Sequence, residues 1–136
     1  MTCRYMLDTN ICIYLMKHHP PEVAARFAQC YVGEVVISAI TLAELEYGVV
    51  CSGDNSAHNE AALVQLLEDI EVAPFDTTAA VKYGPIRFAN RDRKRDALDK
   101  LIAAHAVALN VALVTNNEAD FAGYPNLRIE NWVACH

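Results

Sequence analysis

A chain of 136 residues with a net charge of −6 at pH 7 is sized for one domain, residues 1–136, and is too acidic for indiscriminate binding to nucleic acid. Its most apolar stretch, residues 101–114, contains His105 and Asn110 and is shorter than the roughly 18 residues of a membrane span. The five cysteines lack a Cys-x-x-Cys pair and the N-terminus lacks a secretory signal, so we expect a cytoplasmic protein without structural zinc, disulfides or membrane contact.

Short apolar runs alternate with segments of helical periodicity along the chain, which is typical of an α/β protein. Apolar, β-branched runs without polar alternation indicate buried parallel strands, whereas a run that contains Pro74 indicates a strand nearer the sheet edge. We therefore predict a three-layer fold in which a central, mainly parallel sheet is flanked by helices. The expected strands are residues 5–7, 34–38, 71–75, 111–115 and 127–130, and the expected helices begin near residues 11, 22, 38, 60, 79 and 97.

Asp8 is the first candidate site residue because it stands where the first predicted strand gives way to a helix. In an open parallel sheet the ligand site lies outside the carboxyl ends of the strands, so an acid at this position points toward the functional crevice. The alternative is that Asp8 only caps the helix by accepting backbone N–H bonds from its first turn.

Glu44 and Asp120 repeat the placement of Asp8, since each comes shortly after a predicted strand. Glu44 lies in the helix that follows strand 34–38, and we expect it in the first turn. Asp120 lies in a turn and short helix after strand 111–115. Thr41-x-x-Glu44 is also a capping-box pattern, in which the Glu44 carboxylate would bond to the Thr41 backbone.

Asp99 belongs to a helix predicted over residues 97–109, in which it shares an apolar stripe with Ile102 and Ala106. A carboxylate that points inward is costly unless it is paired or bound to a metal. Asp96 is better placed to cap this helix, which leaves Asp99 for another role. We interpret His105, on the apolar face of the same helix, as a hydrogen-bonded core histidine.

The four acids should converge at the carboxyl edge of the sheet, where their like charges would repel without a cation. Ligation by oxygen alone favours Mg²⁺ or Mn²⁺ over zinc. Such an ion on carboxylates, with a substrate phosphate completing its shell, is the usual arrangement for phosphoryl chemistry. We expect Asp8 and Asp99 to be the principal ligands, with Glu44 and Asp120 completing the pocket.

Seven of the eleven Lys and Arg residues fall within residues 82–100, although the protein as a whole is acidic. Such a strip either holds a phosphate backbone beside the acidic pocket or is simply a solvated helix end. The residues that we expect to contact such a phosphate backbone are Arg87, Arg91, Arg93 and Arg95.

Four blocks of the sequence resemble the motifs of PIN-domain nucleases, and more closely those of the VapC toxins of VapBC toxin–antitoxin systems. The blocks are MLDTNI at residues 6–11, TLAELEYG at 41–48, LDKLIAAHA at 98–106 and LVTNNEADF at 113–121. The resemblance implies a Mg²⁺-dependent endoribonuclease that acts on tRNA, is silenced by a cognate VapB antitoxin and forms a homodimer, with Mn²⁺ able to replace Mg²⁺. It places the catalytic site at Asp8, Glu44, Asp99 and Asp120.

The chain departs from this pattern at one position, where many members carry an acid and this chain has Asn117. Other members place the acid just before the phenylalanine, where Asp120 stands, and we choose Asp120 over Glu118 for that reason. An antitoxin should use apolar surface around Ile13, Tyr14 and Val49, and insert an Arg or Lys among the acids.

Two other classes of function compete with the nuclease. A phosphoacceptor signalling domain also gathers acids and Mg²⁺ at a sheet edge, but strand 34–38 lacks the acceptor Asp and Thr115 is followed by Asn116. The other alternative is a catalytically inactive PIN-like module that binds RNA or a partner. Activity that is lost on Asp99→Asn would separate the nuclease from this module.

Overall fold

The computed structural model describes residues 2–93 and 97–133, and its centre is a five-stranded sheet in which every pairing is parallel. The strand order is β3-β2-β1-β4-β5, so β1 lies in the middle with β2 on one side and β4 on the other. This confirms the predicted α/β class. The strands are β1 (Tyr5–Leu7), β2 (Val35–Ser38), β3 (Glu71–Ala73), β4 (Ala112–Val114) and β5 (Ile129–Glu130).

Helices cover both faces of the sheet and complete the three layers. Alternate residues of β1 point to opposite faces, so Leu7 packs in one core cluster with Ile11 and Met6 packs in the other with Ile102. The first cluster uses α1 to α4, and the second uses α5 to α7. The helices are α1 (Thr9–Lys17), α2 (Pro21–Ala28), α3 (Ala39–Cys51), α4 (Ser56–Asp69), α5 (Thr77–Ala89), α6 (Ala97–Leu109) and α7 (Glu118–Phe121).

The predicted edge strand is confirmed, since β3 stands at the end of the strand order beside β2 and Glu71 is exposed. Asp76 caps α5, because its Oδ1 accepts a 3.0 Å hydrogen bond from the Ala79 N–H. Across residues 2–93 and 97–133, no helix has the length and apolarity needed to cross a bilayer.

The capping-box interpretation of Glu44 is wrong. The N-cap of α3 is Ser38, whose Oγ accepts a 3.0 Å hydrogen bond from the Ile40 N–H, so Thr41 lies inside the helix. Glu44 is consequently the sixth residue of α3 rather than part of its first turn. The strand ends at Ser38 and the helix begins at once, which leaves no room for a later cap.

Lys100 does not belong to the exposed basic strip. Its side chain is 5% exposed and its Nζ donates to the backbone carbonyl of Arg93, which ties α6 to the segment before it. Arg95, an expected RNA contact, and Asp96, the expected cap of α6, lie outside the described residues.

Candidate active site

Asp8 follows the central strand directly and is almost fully buried, with 5% of its surface exposed. Its Oδ1 accepts a 2.9 Å hydrogen bond from the Ile11 N–H, so the residue does cap α1. The hydroxyl of Thr115, at the end of the neighbouring strand β4, also donates to the Asp8 carboxylate. Asp8 can therefore cap α1 and still serve in a functional site, because the cap uses Oδ1 and leaves the other carboxylate oxygen for further contacts.

Burial raises the pKa of Asp8 above its ordinary value, and the nearby charge of Glu44 raises it further. Hydrogen bonds from Thr115 and from the Ile11 backbone act in the opposite direction but do not cancel the effect of burial. No Lys or Arg in the described part of the chain forms an ion pair with Asp8 or Glu44. Among the residues that the structure describes, the two acids therefore have no ion-pair partner that would stabilise their ionised forms.

Glu44 reaches Asp8 from a different element, since it lies one and a half turns into α3. The hydroxyl of Thr9, next to Asp8 in the chain, donates a 2.7 Å hydrogen bond to Glu44 Oε1. This bond holds the Glu44 side chain against the start of α1. The sequence analysis did not predict that Thr9 and Thr115 orient the acids. The available signal was that each is a hydroxyl residue just after a strand and within one of the four PIN-like sequence blocks.

Asp99 lies half-buried in the first turn of α6. This helix packs against α3 and leads back to the start of β4, so its first turn faces the carboxyl edge of the sheet. Nevertheless, across the described ranges no three side chains of His, Cys, Asp or Glu stand close enough to share one metal ion directly. The structure thus brings Asp8 and Glu44 together, while Asp99 and Asp120 are not part of a closed carboxylate cluster with them.

Asp120 lies on the short helix α7, directly beyond β4, and its side chain is exposed. Its backbone carbonyl accepts a 3.1 Å hydrogen bond from the Arg93 guanidinium. Glu118, the other acid of this helix, accepts a 3.0 Å hydrogen bond from Asn131. Glu118 is therefore engaged with the C-terminal segment, and Asp120 stays the better candidate for a fourth acid.

Three of the predicted RNA-binding arginines, Arg87, Arg91 and Arg93, lie at the end of α5 and just beyond it. Arg93 bonds to α7, and Asn90 donates a 3.2 Å hydrogen bond to the Gly123 carbonyl after α7, so this region borders the carboxyl edge of the sheet. The Arg91 guanidinium lies 4.5 Å from the ring centroid of Phe88, which is 68% exposed. Arg87 lies over Tyr83 at 5.9 Å. These arginines thus alternate with one exposed aromatic ring, Phe88, and one half-buried ring, Tyr83.

The PIN domain family model matches residues 5–127, which is nearly the whole chain. The chain belongs to the PIN-domain family. Among curated relatives of this PIN domain, Ribonuclease VapC2 of Rickettsia felis is 39% identical and is aligned over 94% of this chain and 97% of its own length. The tRNA(fMet)-specific endonuclease VapC of Shigella flexneri is 37% identical over 95% of this chain and 98% of its own length. The predicted resemblance to VapC proteins is confirmed.

Solved structures agree with this assignment. A chain of VapBC2 from Rickettsia felis, bound to a DNA fragment from its promoter, superposes on this PIN domain with a TM-score of 0.86 and 37% identity, covering 94% of this chain and 98% of that one. A chain of DNA-bound VapBC from Salmonella typhimurium gives a TM-score of 0.87 at 35% identity, with 96% and 99% covered.

A groove of ≈ 680 Å³ opens between α1, α3 and α4 of this PIN domain, and Glu44 lies on its wall. Ile13 and Val49, which we expected on a partner surface, both line it. Tyr14 does not, because its hydroxyl instead accepts a 2.9 Å hydrogen bond from Asn116. The groove is largely apolar, and its remaining lining includes Met16, Leu45, Ala61 and Ala62, with Lys17, His18 and His58 among its polar residues.

Proposed function

We propose that this protein is the ribonuclease toxin of a VapBC-type toxin–antitoxin system, an endoribonuclease that hydrolyses RNA phosphodiester bonds. The observation that supports this best is the buried carboxylate of Asp8 beside Glu44 at the carboxyl edge of a PIN fold. Relatives aligned over nearly the whole chain are named ribonucleases, which supports the same chemistry.

The donor chemistry of the site fits Mg²⁺, with Mn²⁺ as a substitute. Asp8 and Glu44 offer oxygen donors only, and the raised pKa of Asp8 reflects a site that gains from a nearby cation. Asp8, Glu44 and Asp99 would hold the ion, with some contacts through water, and Asp120 would complete the pocket. When bound, the ion would lower the pKa of a water molecule and stabilise charge on the phosphate.

The protein's own residues orient this site. Thr115 and the Ile11 N–H fix the Asp8 carboxylate, and the Thr9 hydroxyl fixes Glu44. The arginines at the end of α5 would hold the RNA backbone on both sides of the bond that is cut, and Phe88 offers an exposed ring on which an unpaired base could stack.

The substrate that we propose is tRNA, because the Shigella relative is named a tRNA(fMet)-specific endonuclease. The test is to incubate the purified protein with total tRNA and Mg²⁺ and to map the new ends. We expect discrete cuts that disappear with a chelator and in Asp8→Asn, a variant that keeps the helix cap. RNA that stays intact with the wild-type protein would contradict the proposal and favour the inactive binding module.

The partner that we propose is a VapB-type antitoxin, since structures similar to this chain are VapBC complexes. An apolar segment of the antitoxin would occupy the groove beside Glu44, and an Arg or Lys would enter the acidic pocket in place of the metal. Co-purification with the product of the neighbouring gene should give a complex that cleaves tRNA only after the partner is removed. Full activity in the intact complex would contradict this arrangement.

We also propose that the protein is a homodimer, as the family resemblance implies. Exposed apolar side chains that could contribute to such an interface include Val81 and Leu98. Light scattering of the purified toxin should give twice the monomer mass of 15.0 kDa.

A further inference from the structure

His105 and Ser38 form a buried hydrogen bond between the two helices that carry Glu44 and Asp99. His105 Nδ1 lies 2.8 Å from Ser38 Oγ, and the two residues are 1% and 0% exposed. Ser38 is the N-cap of α3, the helix of Glu44, and His105 lies on α6, the helix of Asp99. The ring of Phe75 packs edge-on against the imidazole, with centroids 5.3 Å apart. The bond is thus shielded from solvent.

The groups around this bond favour one arrangement of protons. Ser38 Oγ accepts the Ile40 N–H through one lone pair and keeps a proton that it can donate to His105 Nδ1. The Pro74 carbonyl accepts a hydrogen bond from the imidazole, which assigns the ring proton to Nε2. Burial lowers the pKa of His105, although the charge of Asp76 and the bond to Pro74 act the other way. The neutral ring, which can accept from Ser38, is therefore the stable form.

We propose that His105 is a positioning residue that, through Ser38, fixes α3 against α6 and thereby sets the separation of Glu44 from Asp99. Each acid lies six residues along its helix from this bond. Six residues span about 9 Å of helix, so a small tilt at the bond displaces a carboxylate, and a shift of about 1 Å at a catalytic group can cost about a hundredfold in rate. This inference rests on the proposed ribonuclease function.

Two substitutions of His105 separate its bond to Ser38 from its bond to Pro74. His105→Asn places an amide oxygen near the position of Nδ1 and can still accept from Ser38, whereas His105→Gln reaches the Nε2 position and keeps only the bond to Pro74. Ser38→Thr keeps the hydroxyl, and Ser38→Ala removes it. Val23→Ala is the control, because it opens a cavity at a buried residue of α2, which carries none of the candidate site residues.

The test measures single-turnover tRNA cleavage, Mn²⁺ affinity and thermal unfolding for each variant. We expect His105→Gln and Ser38→Ala to lose about tenfold to a hundredfold in cleavage and in Mn²⁺ affinity, the usual effect of removing a residue that orients a metal site. The double variant should lose no more than either single one. His105→Asn and Ser38→Thr should keep cleavage and Mn²⁺ affinity within about threefold of wild type, because both variants retain the hydrogen bond.

The control distinguishes a loss of positioning from a general loss of stability. Val23→Ala should cleave at the wild-type rate even where its melting temperature falls as far as that of His105→Gln. Losses that multiply in the double variant, or an equal loss of cleavage in Val23→Ala, would overturn the positioning role. A wild-type protein that cleaves no RNA would instead overturn the proposed function, so the two failures are distinguishable.

Discussion

The Thr9 hydroxyl donates a 2.7 Å hydrogen bond to Glu44 Oε1, and this bond joins residues that are 35 positions apart in the chain. Thr9 is the first residue of α1 and stands next to Asp8, so the bond places the Glu44 carboxylate beside the buried acid. The site is therefore assembled by hydroxyl residues at strand ends as much as by the acids themselves.

Removal of this hydroxyl should impair the site without unfolding the protein. We expect Thr9→Val to reduce tRNA cleavage about tenfold or more, because Glu44 would lose the partner that orients it. Thr9→Ser keeps the hydroxyl and should stay close to wild type, which makes it the matched control. Equal rates for Thr9→Val and the wild type would show that the bond does not orient a catalytic group.

The raised pKa of Asp8 predicts how stability depends on pH. Between the ordinary aspartate pKa of about 3.9 and the higher value in the folded state, the folded protein binds more protons than the unfolded chain, so stability falls as pH rises. Asp8→Asn cannot titrate, so its stability should not fall in this way, and its side-chain oxygen can still accept the Ile11 N–H. In urea unfolding without metal, Asp8→Asn should gain stability relative to wild type as pH rises through this window. A constant difference, or a loss, would contradict the direction of the shift.

Divalent metal should stabilise the folded protein through the same acids. An ion at about a hundredfold its dissociation constant adds about 2.7 kcal/mol of stability. We expect Mn²⁺ to raise the melting temperature of the wild type but not of the Asp8→Asn, Asp99→Asn double variant. Glu71→Gln, which changes an exposed acid on the edge strand, should retain the full shift. Calorimetry that finds equal Mn²⁺ binding in the wild type and the double variant would contradict the ligand assignment.

Much of the fold could be predicted because its signals are local. The apolar run before Asp8, the proline beside β3 and the apolar face around His105 each report on a few neighbouring residues. The start of α3 near residue 38 was predicted, but its capping residue was not, since Ser38 and Thr41 are both good caps and the end of β2 decides between them.

The site was harder to predict than the fold because its contacts are not local. An inward stripe drew attention to Asp99, but it did not show that its neighbour Lys100 folds back to Arg93 and is buried. The sequence likewise gave no distance between Asp99 and the pair formed by Asp8 and Glu44. Only packing between α3 and α6 determines that distance.

If the basic strip contacts RNA phosphates, the affinity for RNA should depend on salt concentration. Each phosphate contact with a single strand contributes about 0.7 to the slope of log affinity against log salt concentration. Replacing Arg91, Arg93 and Arg95 by Gln in the Asp8→Asn background should weaken RNA binding and flatten this slope. Arg128→Gln is the control, because Arg128 bonds to Asn110 at the opposite end of β4. An unchanged slope in the triple variant would mean that the strip is only a solvated helix end.

The chemistry of the RNA ends tests the central claim most directly. If hydrolysis at the Asp8 and Glu44 pair uses water activated with Mg²⁺, the RNA 2′-hydroxyl is not needed as a nucleophile. Mapping the products of tRNA cleavage by the wild-type protein should therefore find 5′-phosphate and 3′-hydroxyl ends, with no cleavage by Asp8→Asn. Products that end in a 2′,3′-cyclic phosphate, or cleavage that persists in Asp8→Asn, would contradict this account.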